Sequence, residues 1–424
     1  MFDYRDNQLY CEDVALADIA ARFGTPTWVY SRRAIVSAWH EFADALAHRP
    51  VLICYAVKAN ANLAVLDCLA REGAGFDIVS EGELQRVLAV GGLPERIVFS
   101  GVGKSEAGIR RALEVGVRCF NVESEAELQR LDLIARSMGK RAPVSLRVNP
   151  DVDAGTHPYI STGLRENKFG IAHERAREVY RIANHLPGLQ VVGIDCHIGS
   201  QITELAPFLA ALDRVVDLFL QVREDGIALT HIDLGGGLGI AYDDDDAPPA
   251  RAELMRQIDQ RLAQRLGETA ASVELVFEFG RSIVGSAGLL LSRVLYLKPT
   301  AVRNFAIIDA AMNDLLRPSL YGARHRVLPV EPHPGNGAVP AQEWDLVGPV
   351  CESGDWLARN CRLSLGPDDL LGFADAGAYG MVMSSNYNTR ARGAEVLVDG
   401  RVAHLVRERE SFEQMIAGEH LPGS

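Results

Sequence analysis

One of the most apolar runs in the chain closes on a lysine. Leu52, Ile53, Cys54, Tyr55, Ala56 and Val57 read as a buried strand, and Lys58 ends it. Lysine is rarely fully buried without a partner, so its ammonium either escapes at the mouth of the strand or does chemistry. Other apolar runs also end in reactive or polar types. Asp77 lies in GFDIVS, Arg147 and Asn149 in VSLRVNP, and His197, Gly199 and Ser200 in DCHIGSQ. Gly235, Gly236 and Gly237 follow HIDL, and Glu278 precedes Gly280 and Arg281 in FEFGR.

The runs that carry these residues alternate with helical patterns from about residue 50 to residue 281. Strands are predicted at 52–58, 75–80, 96–102, 119–124, 144–150, 191–199, 231–236 and 274–280. Helix patterns such as NLAVLDCLAREG, EGELQRVLAVGG and EAELQRLDLIARSMGK lie between them. Strand–helix alternation implies parallel strands joined by right-handed crossovers. Eight such units predict an α/β fold, a closed (β/α)8 TIM-like barrel, with an open doubly wound sheet as the alternative. In a barrel, the reactive residues at the strand ends share one face.

After Arg281 the texture changes to short strands with few helices between them: GLLLSRVLYLKPT, NFAIIDAA, WDLVGPVC, DLLGFADAGAYG and AEVLVDG. The start of the chain, through TPTWVYS, also lacks the barrel rhythm and is expected to add a strand to this C-terminal β-rich domain. The expected division is 30–281 for the barrel and 1–29 with 282–424 for the β-rich domain. Three loops stand out. Residues 151–167 are long enough for an active-site loop, whereas the acidic run 241–250 and the Pro/Gly-rich run 330–342 read as solvated surface.

Composition narrows the partners. The 424 residues are 48% hydrophobic and 23% charged, ordinary for a globular protein, and the net charge of -13 leaves no basic stripe for nucleic acid or an anionic membrane. The acidic N-terminus lacks the apolar core of a signal peptide, and no apolar run is long enough to cross a bilayer. Seven scattered cysteines without CxxC spacing fit a reducing cytoplasm better than a disulfide framework or a structural zinc site, and no metal is expected.

GGGLG after a strand could cradle a phosphate, because glycines let backbone N–H groups approach an anion. A tight turn explains three glycines as well. The dinucleotide fingerprint fails, since Ile240 stands where a glycine or alanine is required. The position favours an anion, because barrel phosphate sites are built by the loops after strands seven and eight. A lysine and a phosphate site on one face suggest pyridoxal phosphate: the amine condenses with the aldehyde, and the ring serves as an electron sink. Glu278 could pair with the ring nitrogen and His197 could stack on the ring. In the β-rich domain, RPSLYGARH, GPVCESGDW and GAYGMVMSSNYN form a second set. Arg281 and Arg317 are candidate bidentate carboxylate clamps, and Cys351 and Glu352 sit in a glycine-flanked, exposed turn.

YAVKAN, HIGSQ, GGGLG, the E-x-G-R after strand eight, CESGD and GAYG, in this order, make the chain resemble the fold-type III pyridoxal-phosphate decarboxylases. THPYISTGLRENKFGI, RPSLYGARH and MSSNYN make it similar to the branch of that family acting on meso-diaminopimelate. The resemblance covers nearly the whole chain. It implies a cytoplasmic homodimer that decarboxylates meso-2,6-diaminopimelate to L-lysine and CO2, the last step of lysine biosynthesis. Lys58 would link the cofactor, with His197 on the ring and Asp77 nearby. Ser200, Gly235, Gly236, Gly237, Gly280 and Tyr379 would hold it, with Glu278 on the ring nitrogen. Arg281, Arg317, Tyr321 and Tyr379 would bind substrate carboxylate, and Glu352 the distal amine. Cys351 and Glu352 would come from the other subunit, and either Cys351 or Lys58 could return the proton. The rivals are decarboxylation of ornithine, arginine or a D-amino acid, an alanine-racemase-like isomerase, and a non-catalytic cofactor-binding protein. One departure is Phe279, where the family has proline. Phenylalanine relaxes φ there and restores an N–H, so Phe279→Pro is expected to leave activity equal or higher.

Overall fold

The computed structural model describes residues 2–153, 168–243, 246–333 and 340–423. Most of the expected active-site loop 151–167 lies outside these residues, as do positions 244–245 of the acidic run and 334–339 of the Pro/Gly run. The chain divides into two compact units. One comprises 36–241 with 246–283, the other 1–35, 242–245 and 284–424.

The first unit is a closed parallel barrel. Its strands in chain order are Val51–Ala56, Gly75–Ile78, Ile97–Phe99, Cys119–Val122, Ala142–Asn149, Leu189–Asp195, His231–Asp233 and Glu274–Phe279. Each pairs in parallel with the next, and the last pairs with the first, Phe279 lying opposite Tyr55. The two-residue strand Ile171–Ala172 adds to the edge of Ala142–Asn149. Every expected strand is present. They form because each is a short run of β-branched and aromatic residues bounded by turn formers. Leu52, Cys54, Val98, Cys119 and Val276 pack together in one buried cluster.

Four of the turns leading from strand to helix end on side-chain caps. Asn62, Ser80, Ser105 and Ser124 each accept a backbone N–H of the helix they open. A capped N-terminus fixes where the helix starts, and therefore how the preceding loop is held. No helix among the described residues is long and apolar enough to cross a membrane, and all seven cysteines are free.

The second unit is β-rich. Its main sheet runs Trp356–Leu363, Gln342–Val347, Phe305–Ile308, Gly288–Lys298, Thr27–Ser31, Ala394–Asp399, Val402–Arg407, with Leu370–Phe373 also pairing Gly288–Lys298. The N-terminal segment does contribute a strand. Thr27–Ser31 lies antiparallel to Gly288–Lys298 and parallel to Ala394–Asp399. A small antiparallel sheet, Phe2–Arg5, Gln8–Cys11 and Val14–Ala15, precedes it. Leu9, Leu16, Val29, Leu289 and Val396 share this unit's core.

Candidate active site

The first barrel strand ends at Ala56, two residues earlier than expected, and Lys58 sits in the single tight turn Val57–Ala59. The turn is tethered: the buried Tyr55 hydroxyl donates to the Asn60 carbonyl at 2.9 Å, and the Asn60 side chain accepts the Asn62 N–H at 3.1 Å. The Lys58 side chain is thus held on a rigid mount while remaining 34% exposed. It donates to Asp77 Oδ2 at 2.7 Å. Asp77 is fully buried, and its other oxygen has no hydrogen-bond partner among the described residues. Asp77, expected beside His197, therefore has Lys58 as its ionic partner.

Glu278 points inward from the last strand, because its neighbours Phe277 and Phe279 share the opposite face. Its Oε1 accepts from Ser100 Oγ at 3.1 Å and Asn121 Nδ2 at 3.0 Å. Two further buried carboxylates meet it: oxygens of Asp195, Asp233 and Glu278 lie within 4.8 Å of one another. Asp195 and Asp233 end the sixth and seventh strands and Glu278 is the last residue but one of the eighth, so closure of the sheet brings them together. Burial first, then repulsion from one another and from Asp77, pushes all three well above the usual carboxylate range. Lys58 and Arg147 pull Glu278 the other way. The cluster is therefore proton-rich, and a cation placed against Glu278 would draw out its charged form. Arg147 is itself buried, paired with Glu123 at 2.8 Å.

His197 Nδ1 accepts the Gly236 N–H at 3.2 Å, which leaves the proton of a neutral ring on Nε2. Burial, then Arg147 and Lys58, hold its pKa well below the ordinary imidazole value, so the ring is neutral. Gly235 and Gly237 have positive φ, 63° and 102°. A Cβ on Gly235 would stand 2.5 Å from His197 Nδ1, one on Gly236 2.2 Å from the Glu278 carbonyl oxygen, and one on Gly237 2.5 Å from that of Gly199. Only glycine fits here, and the turn presents bare backbone beside a ring nitrogen. Next to it, the buried Arg281 donates to Ser200 Oγ at 3.1 Å. Gly280 is confined as well, with Ala59 Cβ 3.0 Å from where a Cβ would be.

The β-rich unit gathers the second set. Arg317 opens the short helix Arg317–Tyr321, which carries Tyr321 at its end. The guanidinium is buried, 3.1 Å from His325 Nε2 and 4.7 Å from the centre of the Tyr242 ring. Tyr379 has a left-handed φ of 56°, unusual for a bulky side chain, and is followed by Gly380. Cys351 and Glu352 are exposed. One loop secures both: Tyr387 donates its hydroxyl to Glu352, and Cys351 N–H donates to Asn388 Oδ1 at 3.1 Å.

The structure thus brings Lys58, Asp77, His197, Ser200, Gly235, Gly236, Gly237, Glu278, Gly280 and Arg281 onto the barrel's strand ends, and Arg317, Tyr321, Cys351, Glu352 and Tyr379 into the other unit. Sequence reading missed Asp195, Asp233, Asn121, His325 and Tyr387. An aspartate directly after an apolar strand, as in VVGID and HID, was the available signal for the first two.

Residues 32–285 match the family model described as pyridoxal-dependent decarboxylase, pyridoxal binding domain. The chain is 58% identical over 420 residues, 99% of both chains, to a Pseudomonas aeruginosa protein named diaminopimelate decarboxylase. It is 55% identical over 417 residues, 98% of both, to one of the same name from Vibrio cholerae. Among solved structures, a diaminopimelate decarboxylase from M. jannaschii in co-complex with L-lysine superposes with a TM-score of 0.94 at 35% identity, over 100% of this chain and 98% of that one. One from Helicobacter pylori complexed with L-lysine does so at 0.88 and 38%, over 95% and 98%.

Proposed function

The chain belongs to the pyridoxal-dependent decarboxylases, and we propose that it decarboxylates meso-2,6-diaminopimelate to L-lysine and CO2, the closing step of lysine biosynthesis. The observation that carries this is full-length identity of 58% to an enzyme of that name, joined to a barrel face with a lysine, an inward carboxylate and a glycine cradle.

Pyridoxal phosphate, when bound, supplies an electron sink for the pair left by the departing carboxylate. The barrel residues fit it. The backbone of Gly235, Gly236 and Gly237, closed to any Cβ, would hold the phosphate with Ser200 and Tyr379. Lys58 would anchor the aldehyde, and Glu278 would take the ring nitrogen, whose positive N–H would draw out the charged carboxylate. Neutral His197 would cover the ring without placing a competing charge on it. Gly280 leaves room for Ala56 and Ala59 at the lysine's turn.

Arg281, Arg317 and Tyr321 would bind substrate carboxylate, because a guanidinium grips one bidentately. Glu352 would read the distal ammonium, and Cys351 or Lys58 would return the proton. Both residues of the Cys351–Glu352 turn are solvent-facing, as groups offered to a second copy must be. Leu320, Val382 and Tyr387 are exposed apolar surface on the same unit. A homodimer with shared sites accounts for both. Seven free thiols suit a reducing cytoplasm.

The test is CO2 release by the cofactor-loaded enzyme from meso-diaminopimelate, L,L-diaminopimelate, L-lysine, L-ornithine and L-arginine, with chiral analysis of products. Release from the meso isomer alone, giving L-lysine, is expected. Release from ornithine or arginine instead would overturn the substrate.

A further inference from the structure

We propose that Tyr387 is a positioning residue: its hydroxyl holds the Glu352 carboxylate in the orientation that receives the substrate's distal ammonium. This rests on the reading of Glu352 as the group that binds that ammonium.

Glutamate is a flexible side chain and Glu352 is exposed, so ordering it only on binding would cost affinity. Tyr387 orders it beforehand by donating its hydroxyl to Glu352 Oε1. Tyr387 is itself 43% exposed, but its loop is anchored at both ends. On one side, the buried Asn313 donates from Nδ2 to the Ser385 carbonyl at 3.2 Å, and its own carbonyl accepts the Ser385 N–H at 2.9 Å. On the other, Asn313 Oδ1 accepts Arg390 Nε at 2.9 Å, and Asn386 Nδ2 donates to the Arg390 carbonyl at 3.0 Å. Between these anchors Asn388 and Thr389 have left-handed φ of 56° and 54°. Residues other than glycine keep such backbone only where their surroundings hold it.

The backbone of the Glu352 turn is fixed by other groups. Asn388 Oδ1 accepts the Cys351 N–H at 3.1 Å, and the buried Asp355 accepts the Val350 N–H at 2.7 Å. Ser319 Oγ, on the helix that carries Arg317 and Tyr321, donates to the Gly354 carbonyl at 2.7 Å. Losing the phenol hydroxyl therefore frees the Glu352 side chain and leaves its turn in place. The donor's chemistry suits the task. A carboxylate offers about four lone-pair positions, and one phenol fills one of them. A lysine or arginine in its place would hold Glu352 as firmly, but would neutralise the charge that an ammonium needs. The phenol is uncharged, and Glu352 has no ion pair among the described residues.

Tyr387→Phe removes the hydroxyl and keeps the ring. Decarboxylation at one end of meso-diaminopimelate leaves the distal ammonium as the α-amine of L-lysine. The ligands are therefore L-lysine and 6-aminohexanoate, which has the same carbon chain, carboxylate and ε-amine but no α-amine. Binding to the cofactor-loaded enzyme is measured by calorimetry. Tyr387→Phe is expected to weaken L-lysine about fivefold and to leave 6-aminohexanoate within about twofold. In a Glu352→Gln background the same change is expected to alter lysine affinity by less than about twofold, because the charge it positions is gone. Unchanged lysine affinity in Tyr387→Phe, an equal loss for both ligands, or an undiminished loss in the Glu352→Gln background would overturn the proposal. Failure of the ammonium reading itself shows separately: Glu352→Gln would keep the wild-type preference for lysine over 6-aminohexanoate, and the proposal would fall with it.

Discussion

The ammonium of Lys58 donates to Asp77 Oδ2 at 2.7 Å, and that carboxylate is wholly buried. The pair ties the first barrel strand's end to the second strand. Lys58→Ala should abolish turnover and the visible absorbance of lysine-linked cofactor. It should also lower the melting temperature, because the Asp77 charge is left buried without its ammonium. Adding Asp77→Asn should restore the melting temperature but not turnover. Thermal melts and absorbance spectra of both variants check this, and an active single mutant would remove Lys58 from the chemistry.

Gly236 has no room for a side chain. A methyl group there would sit 2.2 Å from the Glu278 carbonyl oxygen, and backbone cannot yield as a side-chain tip can. Gly236→Ala should therefore shift the turn from beside His197 and displace the Glu278 strand. The expected outcome is at least about a tenfold loss of cofactor affinity, equivalent to about 1.4 kcal/mol. Cofactor content after gel filtration measures it; full retention would show that the turn does not hold the phosphate.

Much of this was legible in the sequence, for physical reasons. The eight barrel strands are short apolar runs bounded by turn formers, and parallel strands buried on both faces must look so. The residues following each strand could then be read as one face. What the sequence hid depends on closure or on backbone neighbours. Asp195, Asp233 and Glu278 belong to three strands, and only the order of the closed sheet brings their oxygens within 4.8 Å. His325 shares a motif with Arg317, but its contact with the Ala374 carbonyl oxygen at 2.9 Å exists only once the chain has folded. The mount of Lys58 was also misplaced, since strand pairing stops at Ala56.

His231 gives the protein an acid-sensitive element. It is buried beside Gly193, its Nε2 has no hydrogen-bond partner among the described residues, and burial, aided by Arg118, pushes its pKa down to about 3. An unfolded imidazole takes a proton near 6.5. Between these values the unfolded chain binds more protons, so this contribution is complete above pH ~6.5 and is lost as pH falls toward 3. At about pH 5 the loss amounts to about 2 kcal/mol. The raised carboxylates of the Asp195 cluster act in the opposite sense, but equally in wild type and variant. His231→Leu should therefore show a smaller fall in melting temperature between about pH 7.5 and about pH 5. An identical fall would mean that His231 is protonated in the folded protein.

Phe279 departs from expectation. As a relaxed turn residue, it was expected to tolerate proline with activity equal or higher. The structure puts it at the end of the last strand, 1% exposed, opposite Tyr55. Its ring stacks on Phe42 at 3.9 Å between centres and 12° between planes, and on Phe277 at 5.4 Å. This stack fastens the helix Arg32–Ala43, which carries Phe42, against the outer face of the strand whose inner face presents Glu278. Proline removes the ring and the strand N–H together. Losing a buried phenylalanine ring costs roughly 3–5 kcal/mol. Phe279→Pro should therefore lower the melting temperature and weaken cofactor retention, while Phe279→Leu, which keeps volume and the N–H, should fall between it and wild type. Melting curves with and without added pyridoxal phosphate test this ranking. A proline variant as stable as wild type would show that the aromatic stack contributes nothing to holding Glu278 in place.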